Sequence, residues 1–317
     1  MTRVALLCLV LCFICGPSLL YATETEHIGM KVLPAPGRVV VDGKFADWDL
    51  TGGIFVCSDV ENMRDKFSVW FATMYDDDNL YLLARWNDET PLNNPGSRKG
   101  NYGFAGDCLQ FRTIVPADDP NGRCGHWDCW QDCEGIDQIE VQYGTQFDQG
   151  KDKNVKLKGA RQAFVKNPDG KGYVQEIALP WKLAGPDGYS PKPGDKLQIT
   201  VEPNFTIGTS GRLSLKDIFK PNMPVDRVFT FMASRQWGIG TLEARSNREP
   251  TPVRISDGRE FAVSLEEGVP AVDWTGLIKS KELKGFETIE LEMPDDGYVS
   301  LIIRNRAGQV VLSLIHI

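Results

Sequence analysis

The chain has 317 residues, 35 Lys plus Arg against 43 Asp plus Glu, a formal net charge of -8, and 42% hydrophobic residues with 25% charged. That is a folded composition of about two domains' length, at roughly 100–200 residues each. Its acidity excludes a general nucleic-acid binder, which needs a basic face, and three histidines leave little for imidazole catalysis or a multi-histidine metal centre. Residues 1–22 read as an export signal. Arg3 opens it, Val4 to Ile14 is apolar, Gly16-Pro17 breaks the run, and cleavage follows Ala22. The apolar run is short of the ~20 residues a bilayer span requires. The expected location is therefore secreted, periplasmic or cell-surface, with no membrane span.

Strand patterns dominate the rest of the chain. Val39-Val40-Val41 leads into the Asp42-Gly43 turn, and Phe67 to Tyr75 and Leu80 to Trp86 each alternate. Ile139, Val141 and Tyr143 repeat the period, as do Leu197, Ile199 and Val201, then Val299, Leu301 and Ile303. Period-two runs separated by Gly, Pro, Asn and Asp clusters predict antiparallel sheets with one buried face. No apolar run has helical spacing. The expected class is all-β, an antiparallel, jelly-roll-like β-sandwich over 23–285. The start of a second, Ig-like β domain comes next, over 286–311, where Pro294-Asp295-Asp296-Gly297 separates strand patterns. Residues 312–317 match what a sequencing adapter read in frame would encode. On that reading the chain is an N-terminal fragment, continuous with missing C-terminal domains.

Several motifs fall in order: Val40-Val41-Asp42-Gly43-Lys44-Phe45-Ala46-Asp47-Trp48, Tyr75 to Tyr81 with Asp78-Asn79-Leu80-Tyr81, Gly106-Asp107-Cys108-Leu109-Gln110-Phe111, Glu176-Ile177-Ala178-Leu179-Pro180-Trp181, and Lys192-Pro193-Gly194-Asp195. Together, over residues 36 to 240, they resemble carbohydrate-binding module family nine. That superfamily also holds haem-binding subunits of ethylbenzene-dehydrogenase-type enzymes and DOMON-type domains. The segment from 288 resembles the Ig-like domain of flagellar hook-capping proteins. The resemblance implies a non-catalytic module with a glycan partner, held between paired tryptophans. No complete pair can be matched residue by residue.

The aromatic candidates are Trp127 and Trp130, in a Gly/Cys/Asp-rich stretch expected to be a loop, and Trp237. Aromatic platforms with a few placed polar groups are what small-molecule sites require. In an exported chain, Cys57, Cys124, Cys129 and Cys133 are disulfide candidates; a Cys3His metal site with His126 is the alternative. Asp118, Asp119, Asp132 and Glu134 are candidate oxygen ligands for a structural calcium ion. A b-type haem is the alternative cofactor, with Met63, Met74, Met223 or Met232 available as axial ligands. No Ser–His–Asp arrangement or phosphate loop points to an enzyme.

Overall fold

A computed structural model of the chain describes residues 24–26, 30–96, 103, 106–117, 119, 122–144, 159–206, 218–219, 237–246, 248–277, 300–304 and 310–315. The expected export signal, 1–22, lies outside them. The chain divides into two units, Ala22–Leu277 and a second containing the C-terminal residues from Ile278.

The first unit is built on one large sheet. Its strands are β1 (Lys31–Pro34), β2 (Ile54–Val56), β3 (Phe67–Tyr75), β4 (Asn79–Asp88), β5 (Cys108–Val115) and β6 (Arg123–Gln131). They continue as β7 (Asp137–Gly144), β8 (Arg161–Lys166), β9 (Tyr173–Pro180), β10 (Lys196–Thr206), β11 (Ile218–Phe219) and β12 (Gly238–Leu242). The order is β7-β6-β5-β10-β12-β1-β3-β4-β9-β8, with β11 on β10 and β2 on β3. Two small hairpins come after it, β13 (Val253–Arg254) with β14 (Glu260–Phe261), and β15 (Val263–Glu266) with β16 (Val269–Val272). In the second unit β17 (Ser300–Arg304) pairs antiparallel with β18 (Val310–Ile315). The class is all-β, as the periodicity predicts. The helix α1 is a single turn, Trp181–Ala184, placed where Pro180 ends β9. No helix among the described residues is long and apolar enough to cross a membrane.

The structure departs from expectation in several respects. The sheet is mixed, because β1 pairs parallel with both β12 and β3. And Val39-Val40-Val41 is not a strand: the Val40 N–H donates to Asp47 Oδ2 at 2.7 Å, which folds the segment into a turn.

The sheet curls until its ends meet, and its interior is filled by Val32, Phe71, Leu82, Trp86, Phe111, Trp127, Ile177, Val201 and Phe205 among others. Side chains stitch the closing seam where ladder bonds do not. Gln162 Nε2, from β8, donates to the carbonyls of Trp130 and Gln138, and Gln175 Nε2 donates to that of Cys129 at 3.1 Å. A second apolar layer covers the outside of β3, β4 and β9. There Trp70, Met74, Tyr81, Leu83 and Ala178 pack with Trp48, Leu50, Val253 and Phe261. Both faces of β3 are therefore buried, all nine residues of it, where alternation predicts only one.

Burial on two faces forces polar groups to be met internally. Glu176 on β9 accepts from the N–H groups of Asp42 and Gly43 at 2.8 and 2.6 Å and from Trp48 Nε1 at 2.6 Å. One carboxylate thus holds the whole Asp42–Trp48 segment against the sheet. Gly43 is required there, because its φ is +79° and a Cβ would lie 2.5 Å from Val165 Cγ2.

A second buried pair is Asp88, at the end of β4, with Asp107, which precedes β5. Asp107 accepts from the N–H groups of Asn93 at 2.6 Å and Thr206 at 2.7 Å, and Asp88 from that of Thr90 at 2.8 Å. The two carboxyls bond to each other, and burial first, then each other's proximity, raises Asp107 well above the usual range; burial also raises Asp88. Glu89 adds a like charge near Asp88, and the buried Tyr173 phenol is held up by burial and by both acids. Acids that titrate higher in the folded chain bind more protons there than in the unfolded one. Their stabilisation is full below the ordinary aspartate value of about 4 and is lost as pH rises through the raised values. Asp88→Asn places an amide N–H where it donates to Asp107 without a shared proton. We expect the fall in melting temperature between pH 5 and pH 8, followed by circular dichroism, to shrink by about 2–4 °C in this variant; parallel wild-type and variant curves would contradict the shared-proton account.

Candidate functional site

The face of interest is the outside of β5, β6, β7 and β10. Along β5, Leu109, Phe111 and Val115 enter the interior, so Cys108, Gln110 and Arg112 face outward. Register does the rest. Gln110 lies opposite Asp128 on β6 and Glu202 on β10, and Asp128 lies opposite Glu140 on β7. The next row places Arg112 between His126 and Thr200, and the row on the other side places Asn204 beside Cys108. Eight polar or charged side chains, Thr200 among them, from four adjacent strands thus share one patch.

All of them are buried: Arg112, Asp128 and Asn204 are 0% exposed, and Gln110, His126, Glu140 and Glu202 are 1–2%. Within the patch Gln110 Nε2 donates to Asp128 Oδ1 at 2.7 Å and lies 3.3 Å from His126 Nε2. Both terminal nitrogens of Arg112 reach Glu202 Oε2 at 3.4 Å. Among the described residues neither amide atom of Asn204 has a hydrogen-bond partner, and neither does Trp130 Nε1. Three carboxylates, two primary amides, a guanidinium and an imidazole converge, which is a dense set of planar donors and acceptors.

The predicted loop at Cys124–Cys133 is corrected. Residues 123–131 are β6, central in the sheet, so its tryptophans stand on opposite faces by parity. Trp127 is in the interior, 0% exposed, stacked on Phe111 at 6.0 Å, with Nε1 donating to Thr113 Oγ1 at 3.1 Å. It presents no face to a ligand. Trp130 shares the outward parity of Asp128 and borders the polar patch, buried against Gly103, where a Cβ would meet its ring at 2.3 Å. Trp237, also buried, directly precedes β12, whose Gly238 pairs with Ile199 of β10 next to Thr200.

The cysteines are corrected too: among the described residues no disulfide is formed. Cys124 and Cys129 point to opposite faces of β6, ~16 Å apart along it, well beyond the ~4.4–6.8 Å between the Cα atoms of a disulfide. Burial pushes the Cys57 thiol up to about 12 and Cys129 well above its ordinary value, so both stay protonated and poor as ligands. Cys133 is exposed in the β6–β7 turn.

Of the four candidate calcium ligands, Asp119 lies apart from Asp132 and Glu134. Asp119 is in the β5–β6 connection, while Asp132 and Glu134 are in the β6–β7 connection, at the other end of a nine-residue strand roughly 25–30 Å long. Asp118 lies outside the described residues. Asp132 Oδ1 accepts from the N–H groups of Glu134 and Ile136, and Oδ2 from Gln138 Nε2, so both oxygens organise the turn. Among the described residues no three His, Cys, Asp or Glu side chains could hold a metal ion together. Of the methionines, Met74 is in the outer core with its sulfur accepting from the Asp49 N–H at 3.3 Å, and Met63 is partly buried against both cores. Met223 and Met232 lie outside the described residues.

The patch is hard to see in the sequence because Gln110, Arg112, Glu202 and Asn204 occupy the polar half of an alternating pattern, which normally means solvent. The informative signal is that β5 and β10 both carry charge at those positions, and that becomes visible only once strand order is known.

The chain matches no protein family and no curated protein. Among solved structures it is similar to a family 9 carbohydrate-binding module from Caldicellulosiruptor kristjanssonii in complex with cellotriose, with a TM-score of 0.46 and 15% identity over 71% of this chain and 99% of that one. The module from that organism in complex with glucose gives 0.46 and 16% over 69% and 98%. A Bacteroides uniformis protein to which carbohydrate binding is attributed gives 0.42 and 14% over 67% and 98%.

Trp127→Ala is expected to act as a core deletion, lowering unfolding free energy by about 3–5 kcal/mol in urea titration. A folded variant of wild-type stability would place this indole outside the core.

Proposed function

We propose that the chain is an exported, non-catalytic carbohydrate-binding module whose sugar site is the polar face of β5, β6, β7 and β10. The carrying observation is the patch itself. A buried set of Gln110, Arg112, Asp128, Glu140, Glu202 and Asn204 is a costly way to cover a sheet, since an apolar layer serves stability as well or better. It is a good way to bind hydroxyls. Each sugar hydroxyl donates one hydrogen bond and accepts others, and adjacent hydroxyls match amide and carboxylate groups fixed at strand spacing. Asn204, with donor and acceptor both unpartnered among the described residues, is the side chain best placed to gain from a ligand.

Trp130 and Trp237 are the aromatics retained for the site, and Trp127 is not. Because the patch is buried, a sugar binds only the fraction of molecules in which it is accessible. The apparent affinity is then reduced by that fraction.

Asn204→Ala separates a ligand site from a structural network. Removing a buried amide that bonds nothing leaves the melting temperature unchanged or raises it. If Asn204 binds sugar, the same change weakens binding of glucose, cellobiose or cellotriose about tenfold by calorimetric titration. No binding of any of these or of a wider glycan panel by the folded wild type, or equal binding by the variant, overturns the proposal.

A further inference from the structure

Other strands of the sheet carry a different cleft. On the outer face of β2, β3 and β4, register aligns Phe55, Trp70 and Arg85 in one row, and Ser68 with Asn87 in the next. Trp274, after β16, leans over this surface with its ring 5.4 Å from that of Phe55 and 4.9 Å from that of Phe261. Phe55, Trp70, Arg85, Asn87 and Trp274 line a cavity of about 200 Å³. That is below the ~300–1,000 Å³ of sites for drug-sized ligands, and suits a single ring.

Its charge is unusual for a chain of net charge -8. Arg64 and Arg85 both line it, against one acid, Asp65. Asp65 is turned to solvent, with its side chain 83% exposed, and lies 3.6 Å from Arg64 Nε. Arg64 is already engaged: one terminal nitrogen donates to the Val60 carbonyl at 2.7 Å, and its guanidinium lies 5.9 Å from the Trp274 ring centre. Arg85 is not. It lies 4.9 Å over the Phe45 ring, and it has no hydrogen-bond acceptor and no carboxylate partner among the described residues. Burial alone lowers its pKa, and no neighbouring acid opposes the shift. A half-buried guanidinium stacked on an aromatic face and offering an unused planar fork is a carboxylate receptor. Beside it, Asn87 engages its amide nitrogen with the Arg64 carbonyl and Ser68 Oγ, which leaves its carbonyl oxygen as an acceptor.

We propose that this cleft is a second, independent ligand site for a uronate-type sugar ring. Its carboxylate is held by Arg85, its hydroxyls by Asn87, and its C–H face by Trp274 and Phe55. The inference does not rest on the polar face of β5, β6, β7 and β10.

The full chain would be titrated with sodium glucuronate and sodium galacturonate by calorimetry and tryptophan fluorescence at low salt. Glucose serves as the ring without the charge, and acetate as the charge without the ring. We expect saturable binding of a uronate, at least about tenfold weaker for glucose and for acetate, and weakened about tenfold or more in Arg85→Gln. Trp274→Ala should weaken it similarly, and Asn204→Ala should leave it unchanged. If Arg85→Gln does not fold, Arg85→Lys keeps the charge and the stack but loses the fork, and carries the test together with Trp274→Ala. No uronate binding by the folded wild type, acetate binding as tight as uronate, or binding indifferent to both the Arg85 and Trp274 substitutions would overturn the proposal.

Discussion

A sheet that curls on itself and is then covered from outside has little room for a polar side chain unless another polar group meets it. Strand β3 has no exposed residue, and much of the structure's polar chemistry stems from that arrangement. Glu176 accepts three donors from a segment more than 120 residues away in sequence. Asp88 and Asp107 hold each other and the backbone of Asn93 and Thr206. Gln162 and Gln175 close the seam through carbonyls that a ladder would otherwise use. Each case pairs buried backbone groups whose desolvation would otherwise cost about 1–3 kcal/mol apiece.

Against that background the face of β5, β6, β7 and β10 stands apart. Its members also meet one another, as with the 3.4 Å approach of Arg112 to Glu202. Asn204 meets no partner among the described residues. A buried amide with neither donor nor acceptor engaged is a valence that a ligand can fill. The cleft over β3 and β4 shows the same logic with a charge in place of an amide, since Arg85 has a stacking partner but no acceptor among the described residues.

How much of this the sequence discloses depends on whether the deciding contact is local. Phe67–Tyr75 is legible as a strand because period two and its flanking turns are local. Its second buried face is not, because the cover comes from Trp48, Val253 and Phe261, far along the chain. β6 is misread because Cys124-Gly125-His126-Trp127-Asp128 looks like a loop by composition, and only its pairing with β5 on one side and β7 on the other makes it a central strand. Read as a loop, the segment puts Trp127 on a binding surface and makes Cys124, Cys129 and Cys133 disulfide candidates; read as a strand, it buries Trp127 and separates Cys124 from Cys129. The acidic cluster fails for a related reason: Asp119 and Asp132 are close in number but at opposite ends of a strand. Pairing is non-local information, and the candidate site is made of it.

The most direct test of the central claim is to map where a sugar touches the folded chain. Amide and side-chain NMR spectra of the isotopically labelled protein would be recorded through a titration with cellotriose, or with whichever glycan binds. The account predicts the largest shifts at the side-chain amides of Gln110 and Asn204 and the indole N–H of Trp130, with Trp127 Nε1 moving little. Shifts confined to any other surface, with these signals unmoved at saturation, would contradict it.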